Sequence, residues 1–147
     1  MGRITIPLYY CKSRVPLVVF RLDNEKPYVG VVDTGSEITM FDEKLKDDGF
    51  DAEDMNLETS FIGVNGEGEH KNVLSVENKI CFKTKDDELK NVCVNGILFD
   101  LTGLTEVFQR KIDKKFVISA IIGADFLKQK NAKIDFRSKT LTIDEDE

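Results

Sequence analysis

One stretch of the sequence constrains the fold more than any other, because it carries a single carboxylate from an apolar segment into a tight turn. The apolar segment 29–32 is followed by Asp33, and then by Thr34, Gly35 and Ser36 before the chain becomes apolar again. β-Branched residues are typical of a buried strand, glycine permits a sharp turn, and hydroxyl side chains stabilise turns through local hydrogen bonds. An ordinary hairpin turn contains the same residue types, so the stretch alone predicts a strand and a turn but no function.

Size and charge narrow the class of protein. The 147 residues are enough for a sizeable core, and we expect a single domain over 1–147 with an acidic tail at 144–147. The formal net charge is −6 and no basic patch stands out, which argues against nucleic acid and anionic membranes as partners. No apolar run approaches the roughly 18 residues of a membrane-spanning helix, so we expect no membrane association.

The cysteines indicate the chemical environment. Cys11, Cys81 and Cys93 are odd in number and scattered, and no Cys-x-x-Cys pair exists. This pattern favours neither a disulfide framework nor a zinc site, and we expect Cys81 and Cys93 to pack in strands. A reducing, cytoplasmic location is therefore expected, and nothing in the sequence calls for a metal or another cofactor.

Short apolar runs bounded by turn residues predict a mainly β fold. We expect strands at 3–10 (an edge strand, because it holds Pro7), 15–23, 28–32, 38–41, 71–82, 92–94 with 97–99 (one strand or a pair), 116–122, 132–136 and 140–143. Helical spacing of apolar residues predicts helices over 103–113 and 124–130. One helical turn capped by Asp42 is expected at 42–45, and a surface loop at 47–56.

A glycine-rich hairpin is the second informative stretch. Within residues 57–70, Asn65 and Gly66 form a strong hairpin signal because both tolerate positive φ. Three glycines at its tip leave the backbone many accessible conformations. On its own the stretch is an exposed hairpin, and His70, the only histidine, is expected to be a solvated surface residue.

The order of these features makes a resemblance specific. After the Asp33 turn come the glycine-rich hairpin, about 30 residues later, and then two apolar motifs, Ile121–Leu127 and Ile134–Phe136. The chain resembles the retropepsin-like aspartic proteases, in particular their single-domain bacterial members, from about Val15 to Ile143. The resemblance implies a closed acid-protease β-barrel with one or two short helices.

The resemblance also implies an activity. By this resemblance the chain is expected to be an aspartic endopeptidase that hydrolyses peptide or protein substrates, with Asp33, Thr34 and Gly35 in the catalytic loop. The hairpin becomes a flap that closes over the peptide, and the residues implied for substrate binding are Ser36, Gly63, Val64, Asn65, Gly66, Glu67 and Gly68. Because the sequence has one Asp-Thr-Gly, catalysis requires a homodimer in which two Asp33 carboxylates share a proton. The alternative is a non-catalytic module for dimerisation or peptide binding, because a fold does not establish an activity.

Two features differ from the retroviral members of this family. Those enzymes commonly carry an arginine where this chain has Ala124, so Glu37 lacks that partner, and this chain is longer, mainly through the segment 92–115 and its helix. Asp125 and Asp135 are expected to be structural. The acidic tail would bring like charges together in a dimer. We therefore expect an interface built from the Asp33 loops and the strand Ile4–Leu8, with the tail extended into solvent and association strengthened by salt.

Overall fold

The computed structural model describes residues 2–10, 15–22, 26–50, 53–59, 62–63, 66–67, 71–111 and 117–146, with the backbone alone between 53 and 78. Within these ranges the strands are β1 Arg3–Pro7, β2 Leu17–Arg21, β3 Pro27–Val32, β4 Met40–Asp42, β5 Glu53–Thr59, β6 Ile62–Gly63, β7 Gly66–Glu67, β8 Lys71–Lys83, β9 Leu89–Phe99, β10 Ile118–Ile122, β11 Lys133–Asp135 and β12 Thr140–Asp144. The helices are a 3₁₀ helix Glu43–Asp48, α1 Thr102–Lys111 and α2 Ala124–Gln129.

Six strands close into a barrel. Their order is β2-β3-β10-β4-β9-β8, and β8 pairs back onto β2 through Phe20↔Phe82 and Arg21↔Cys81. Strand β10 runs parallel to β3 and antiparallel to β4, while β4 runs parallel to β9. Closure pairs the strand edges with one another. The expected mainly β fold, a closed barrel with few short helices, is confirmed.

Large apolar side chains fill the barrel. Phe20, Phe41 and Phe82 are completely buried, and Phe41 packs edge-on to Phe20 with ring centroids 6.0 Å apart. The motif Ile121–Leu127 reaches the same core through Ile122 and Phe126. Helix α1 lies outside this core: its Phe108 is buried in a second cluster with Leu17, Val31 and Ile118.

A three-stranded sheet in the order β1-β12-β11 joins the two ends of the chain. Strand β1 pairs antiparallel with β12, from Arg3↔Asp144 to Pro7↔Thr140, and is the edge strand that Pro7 predicted. Its outer edge is engaged at Thr5, whose carbonyl oxygen accepts a hydrogen bond of 2.9 Å from the Lys85 N–H.

Over residues 144–146 the acidic tail is not extended into solvent, and for these residues that expectation is wrong; Glu147 lies outside the described residues. Asp144 belongs to β12 and lies 2.6 Å from Arg3, and Glu145 lies 3.1 Å from Lys90. Asp146 accepts hydrogen bonds of 2.6 Å from Lys130 Nζ and from the backbone N–H of Cys93. Each carboxylate thus has a nearby cation, which offsets the like-charge repulsion on which the expectation rested.

Several expected boundaries also change. The predicted loop at 47–56 is wrong at both ends, because residues 47–48 belong to the 3₁₀ helix and residues 53–56 to β5. The segments 92–94 and 97–99, expected as one strand or a pair, form the single strand β9. The cap by Asp42 is confirmed, since its Oδ1 accepts a hydrogen bond from the Lys44 N–H at 3.2 Å. Both predicted helices are present, with residues 112–113 outside the described ranges.

Cys81 and Cys93 both lie on strands, but Cys93 is exposed. Helices long and apolar enough to cross a membrane are absent from the described residues.

The tail contact makes a prediction for stability. Lys130 is only 8% exposed, so Asp146→Asn leaves a nearly buried ammonium without its carboxylate and should lower the free energy of unfolding by about 1–2 kcal/mol at neutral pH. Burial by itself would raise the pKa of Asp146, but hydrogen bonds from Lys130 and Cys93 outweigh it and hold this pKa below the ordinary 3.8. The stabilisation is therefore complete above 3.8 and is lost as the pH falls through the lowered value.

Urea denaturation of the original chain and of Asp146→Asn, at neutral pH and near pH 2, measures the difference in their free energies of unfolding. Asp86→Asn, which neutralises an exposed acid of the turn between β8 and β9, is the control and should change little. Equal stability of Asp146→Asn and the original chain at neutral pH would contradict the proposed role of the tail.

Candidate active site

Asp33 is placed by the pairing of two parallel strands. Strand β3 ends at Val32, which lies opposite Ile122 at the end of β10. The Asp33 N–H then donates to the Ile122 carbonyl oxygen at 3.0 Å, which continues the ladder by one residue. The barrel thus fixes the backbone of Asp33, while its side chain leaves the sheet and is exposed.

The turn that follows orients the carboxylate. The Gly35 N–H donates to Asp33 Oδ1 at 2.9 Å, and the Ser36 N–H donates to the Asp33 carbonyl oxygen at 3.2 Å. A Cβ atom on Gly35 would lie 3.2 Å from Oδ1, so glycine leaves room for this close contact. One carboxylate oxygen is therefore held by the backbone, and none of the described residues donates a hydrogen bond to the other.

The start of α2 supports the turn from below. The Ala124 N–H donates to the Ser36 carbonyl oxygen at 2.6 Å, and the Asp125 N–H donates to the Glu37 carbonyl oxygen at 3.2 Å. These bonds use backbone donors that a helix leaves free in its first turn. They fix the position of the turn relative to the barrel.

A buried hydroxyl completes the support. Thr39 is fully buried (0% exposed), and its Oγ1 donates to Asp125 Oδ1 at 2.6 Å and accepts from the Gly123 N–H at 3.0 Å. The expectation that Asp125 is structural is confirmed. Asp135 is structural too: its Oδ1 accepts from the Ser138 and Arg137 N–H groups, and these bonds hold its pKa below the usual range.

A cavity of about 520 Å³ opens beside Asp33 and Thr34. Its walls are mainly apolar and come from the segment before β2, the end of β3, helix α1 and the end of β11. The lining residues are Val15, Pro16, Val31, Val32, Asp33, Thr34, Leu104, Val107, Phe108, Lys111, Ile134 and Phe136.

The sequence alone did not assign the α1 residues of this cavity to the site. Helical spacing predicted an amphipathic helix, with its apolar residues turned to the core, but Leu104 and Val107 are only half-buried while Phe108 is buried. The exposed Phe136 was likewise predicted only as the end of a strand at 132–136. Helical periodicity does not distinguish the apolar residues of α1 that line a cavity from those that pack in a core.

The glycine-rich stretch forms the hairpin that was expected, with a different turn. Gly63 pairs with Gly66 and Ile62 with Glu67, so Gly66 lies in a strand and not in the turn. Strands β5 and β8 pair antiparallel up to Thr59↔Lys71 and enclose this hairpin in the sequence.

Only part of the predicted site lies within the residues that the structure describes. Asp33, Thr34, Gly35 and Ser36 lie together in one turn, and Gly63, Gly66 and Glu67 lie in the hairpin. Val64, Asn65 and Gly68 are outside the described residues, as is His70. No group of three described His, Cys, Asp or Glu side chains could hold a metal ion.

Comparison with solved structures identifies the architecture. A crystal structure of a retropepsin-like aspartic protease from Rickettsia conorii matches with a TM-score of 0.50 and 15% sequence identity, over 97% of this chain and 89% of the other. The chain has the retropepsin-like fold. No family model and no curated protein matches it, so the likeness concerns the fold, and the function has to be argued from the site.

The buried hydroxyl of Thr39 gives a test of the support beneath the Asp33 turn. Thr39→Val keeps the shape of the side chain but leaves the buried Gly123 N–H without an acceptor and removes a donor to Asp125. We expect the free energy of unfolding to fall by about 1–3 kcal/mol. Urea denaturation measures the loss, and Thr39→Ser, which keeps the hydroxyl, should recover most of it. If the valine variant is as stable as the serine variant, the hydroxyl does not support the turn.

Proposed function

We propose that this chain is an aspartic endopeptidase that acts as a homodimer. The observation that carries the proposal is the setting of Asp33: an exposed carboxylate at the end of a barrel strand, oriented by the Gly35 N–H and facing a cavity. The retropepsin-like fold supports this assignment, since Asp33 and the turn around it follow the motif order of that family.

The chemistry requires a second carboxylate. Hydrolysis of a peptide bond without a metal needs a base to take a proton from water and an acid to give one to the substrate. Two adjacent carboxyl groups can act as both base and acid. Two negative charges about 3 Å apart repel each other, so the pair shares one proton. The ionised member takes a proton as water attacks the carbonyl carbon, and the protonated member donates to the carbonyl oxygen. As the C–N bond breaks, the leaving nitrogen receives a proton and the carboxylates return to sharing one.

The described lining of the cavity supplies only one such group. Asp33 is the acid among its lining residues, and the sequence contains no second Asp-Thr-Gly. A second copy, related by a two-fold axis, would bring its own Asp33 to the free carboxylate oxygen of the first. Thr34 would then brace the two turns against each other, and Gly35 and Ser36 would contact the substrate backbone.

The hairpin is proposed to act as the flap. An extended peptide between the flap and the Asp33 turns would bind as an added strand, with its side chains alternating between the two faces. Closure would exclude water from the reacting groups. This role is proposed for Gly63, Val64, Asn65, Gly66, Glu67 and Gly68.

The second copy is proposed to contact the end of β11, not the N-terminal strand. The outer edge of β1 is engaged by Lys85 at Thr5. Strand β11 is the other outer strand of its sheet, and Phe136, directly after it, is 65% exposed. Phe136 also lines the cavity with Asp33 and Thr34, so a copy packed on it would lie close to the Asp33 turn.

Catalysis is tested with Asp33→Asn. The amide keeps the shape of the side chain but cannot share a proton, so peptide hydrolysis should fall by about 10³-fold or more while the fold is retained. Mass spectrometry of a digested peptide library measures cleavage, with Asp86→Asn as the control that should stay active. A statine-type inhibitor should stop the reaction, and chelators should not.

Two outcomes would contradict the proposal. Full activity of Asp33→Asn would exclude this carboxylate from the reaction. Binding of peptides by the original chain without cleavage would favour the alternative, a non-catalytic peptide-binding or dimerisation module.

The interface is tested with Phe136→Asp. Burying a carboxylate where a large apolar side chain packs should weaken association by about tenfold or more. Leu89→Asp is the matched control, because Leu89 is similarly exposed (63%) and lies on β9, outside the cavity. Sedimentation velocity should show the dimer lost in the first variant and kept in the second. A wild-type monomer that cleaves peptides would refute the dimer.

A further inference from the structure

The cavity beside Asp33 has an uneven distribution of charge. Among its described lining residues, only Asp33 and Lys111 are charged, and the walls between them are mainly apolar. Its volume of about 520 Å³ lies in the range of ligand pockets, which combine apolar walls with a few polar groups that orient the ligand. Because Asp33 forms part of the wall, an occupant would lie beside the carboxylate that we propose as catalytic.

Lys111 is the last residue of α1 and its side chain is exposed. It forms no ion pair with any described carboxylate. Its neighbour Arg110 is also exposed and also lies in the last turn of α1, where both cations are favourable for the helix dipole. Of these two cations, Lys111 alone is among the lining residues of the cavity.

We propose that helix α1 sets substrate preference, with Lys111 as its charged specificity residue. The inference rests on the proposed endopeptidase function. Leu104 and Val107 form the apolar wall that receives a large apolar side chain of a residue next to the cleaved bond. Lys111 favours peptides that carry a carboxylate on the same face.

The geometry of an extended peptide sets the spacing of the carboxylate. Side chains two residues apart point to the same face of a strand and are separated by about 6.7 Å. An acidic residue two positions from the apolar residue that binds against Leu104 and Val107 therefore points to the side of the peptide on which Lys111 lies. An acid one position away points to the opposite face. The preferred substrates thus have an apolar residue and an acidic residue separated by one position.

The experiment uses peptides with a leucine next to the cleaved bond, whose side chain is to bind against Leu104 and Val107. The peptides of each pair are identical except for one residue, Glu or Gln, which stands two positions before or two positions after that leucine. In the original chain, kcat/KM should be about two- to fivefold higher for one of the Glu peptides, as expected for an exposed ion pair. The ratio should approach one at high salt and fall below one in Lys111→Glu. Arg110→Glu changes the same helix terminus by the same charge and should keep the original ratio.

The apolar wall is tested separately. Replacing the pocketed leucine of the peptide by alanine should lower kcat/KM by about tenfold or more, since that side chain is no longer buried. Val107→Phe, which narrows the cavity, should shift the preference from leucine toward alanine. An unchanged preference would remove α1 from the specificity pocket.

The readouts separate this inference from the proposed function. Cleavage with equal Glu-to-Gln ratios in the original chain and in Lys111→Glu overturns the role of Lys111 and leaves the peptidase in place. An equal shift in Arg110→Glu would show a general field effect and also overturns it. If nothing is cleaved, the peptidase fails, and fluorescence anisotropy of the same peptides decides whether Lys111 selects bound peptides. A changed sedimentation coefficient in Lys111→Glu, with unchanged peptide preference, would assign the cavity to the contact between copies.

Discussion

The close approach of backbone to backbone at Gly123 is the constraint on which the candidate site depends. A Cβ atom there would lie 2.6 Å from the Ile38 carbonyl oxygen and 2.8 Å from that of Ser36, distances that only glycine permits without moving the chain. This contact lets the first N–H groups of α2 reach the carbonyls of the Asp33 turn, and it places the Gly123 N–H against the Thr39 hydroxyl. The position of the turn that carries Asp33 is thus fixed by packing on the opposite side of that turn, and the Gly35 N–H then orients the carboxylate.

Features determined by nearby residues were predictable from the sequence. The turn at Asp33 follows from one glycine, two hydroxyls and a preceding apolar run, and Asp42 caps its 3₁₀ helix through the Lys44 N–H two residues away. The motif Ile121–Leu127 was also predicted as a strand followed by a helix, and it forms β10 and α2. In each case the signal for the local structure lies within a few positions of the residues that adopt it, although distant segments such as α2 then support the Asp33 turn.

Features that depend on distant residues were not predictable in the same way. The tail was expected to extend into solvent because its acids are consecutive, but their partners Arg3, Lys90 and Lys130 lie far away in the sequence. The cavity has the same origin: its wall combines α1 with Phe136 and the segment before β2. Periodicity showed that α1 has an apolar face, but it could not show that part of this face borders Asp33.

The paired tail changes the electrostatic argument about self-association. The sequence suggested that two tails would repel each other and that salt would strengthen a dimer by screening them. Asp144, Glu145 and Asp146 each lie within 3.1 Å of a cation of their own chain, so the charges of these three residues are offset locally. Strand β9 pairs with β4 only over Ile97–Phe99, which leaves the Cys93 N–H on its open edge to bind Asp146. Residues 144–146 therefore pack on their own chain, and their charges alone give no reason for a strong dependence of self-association on salt.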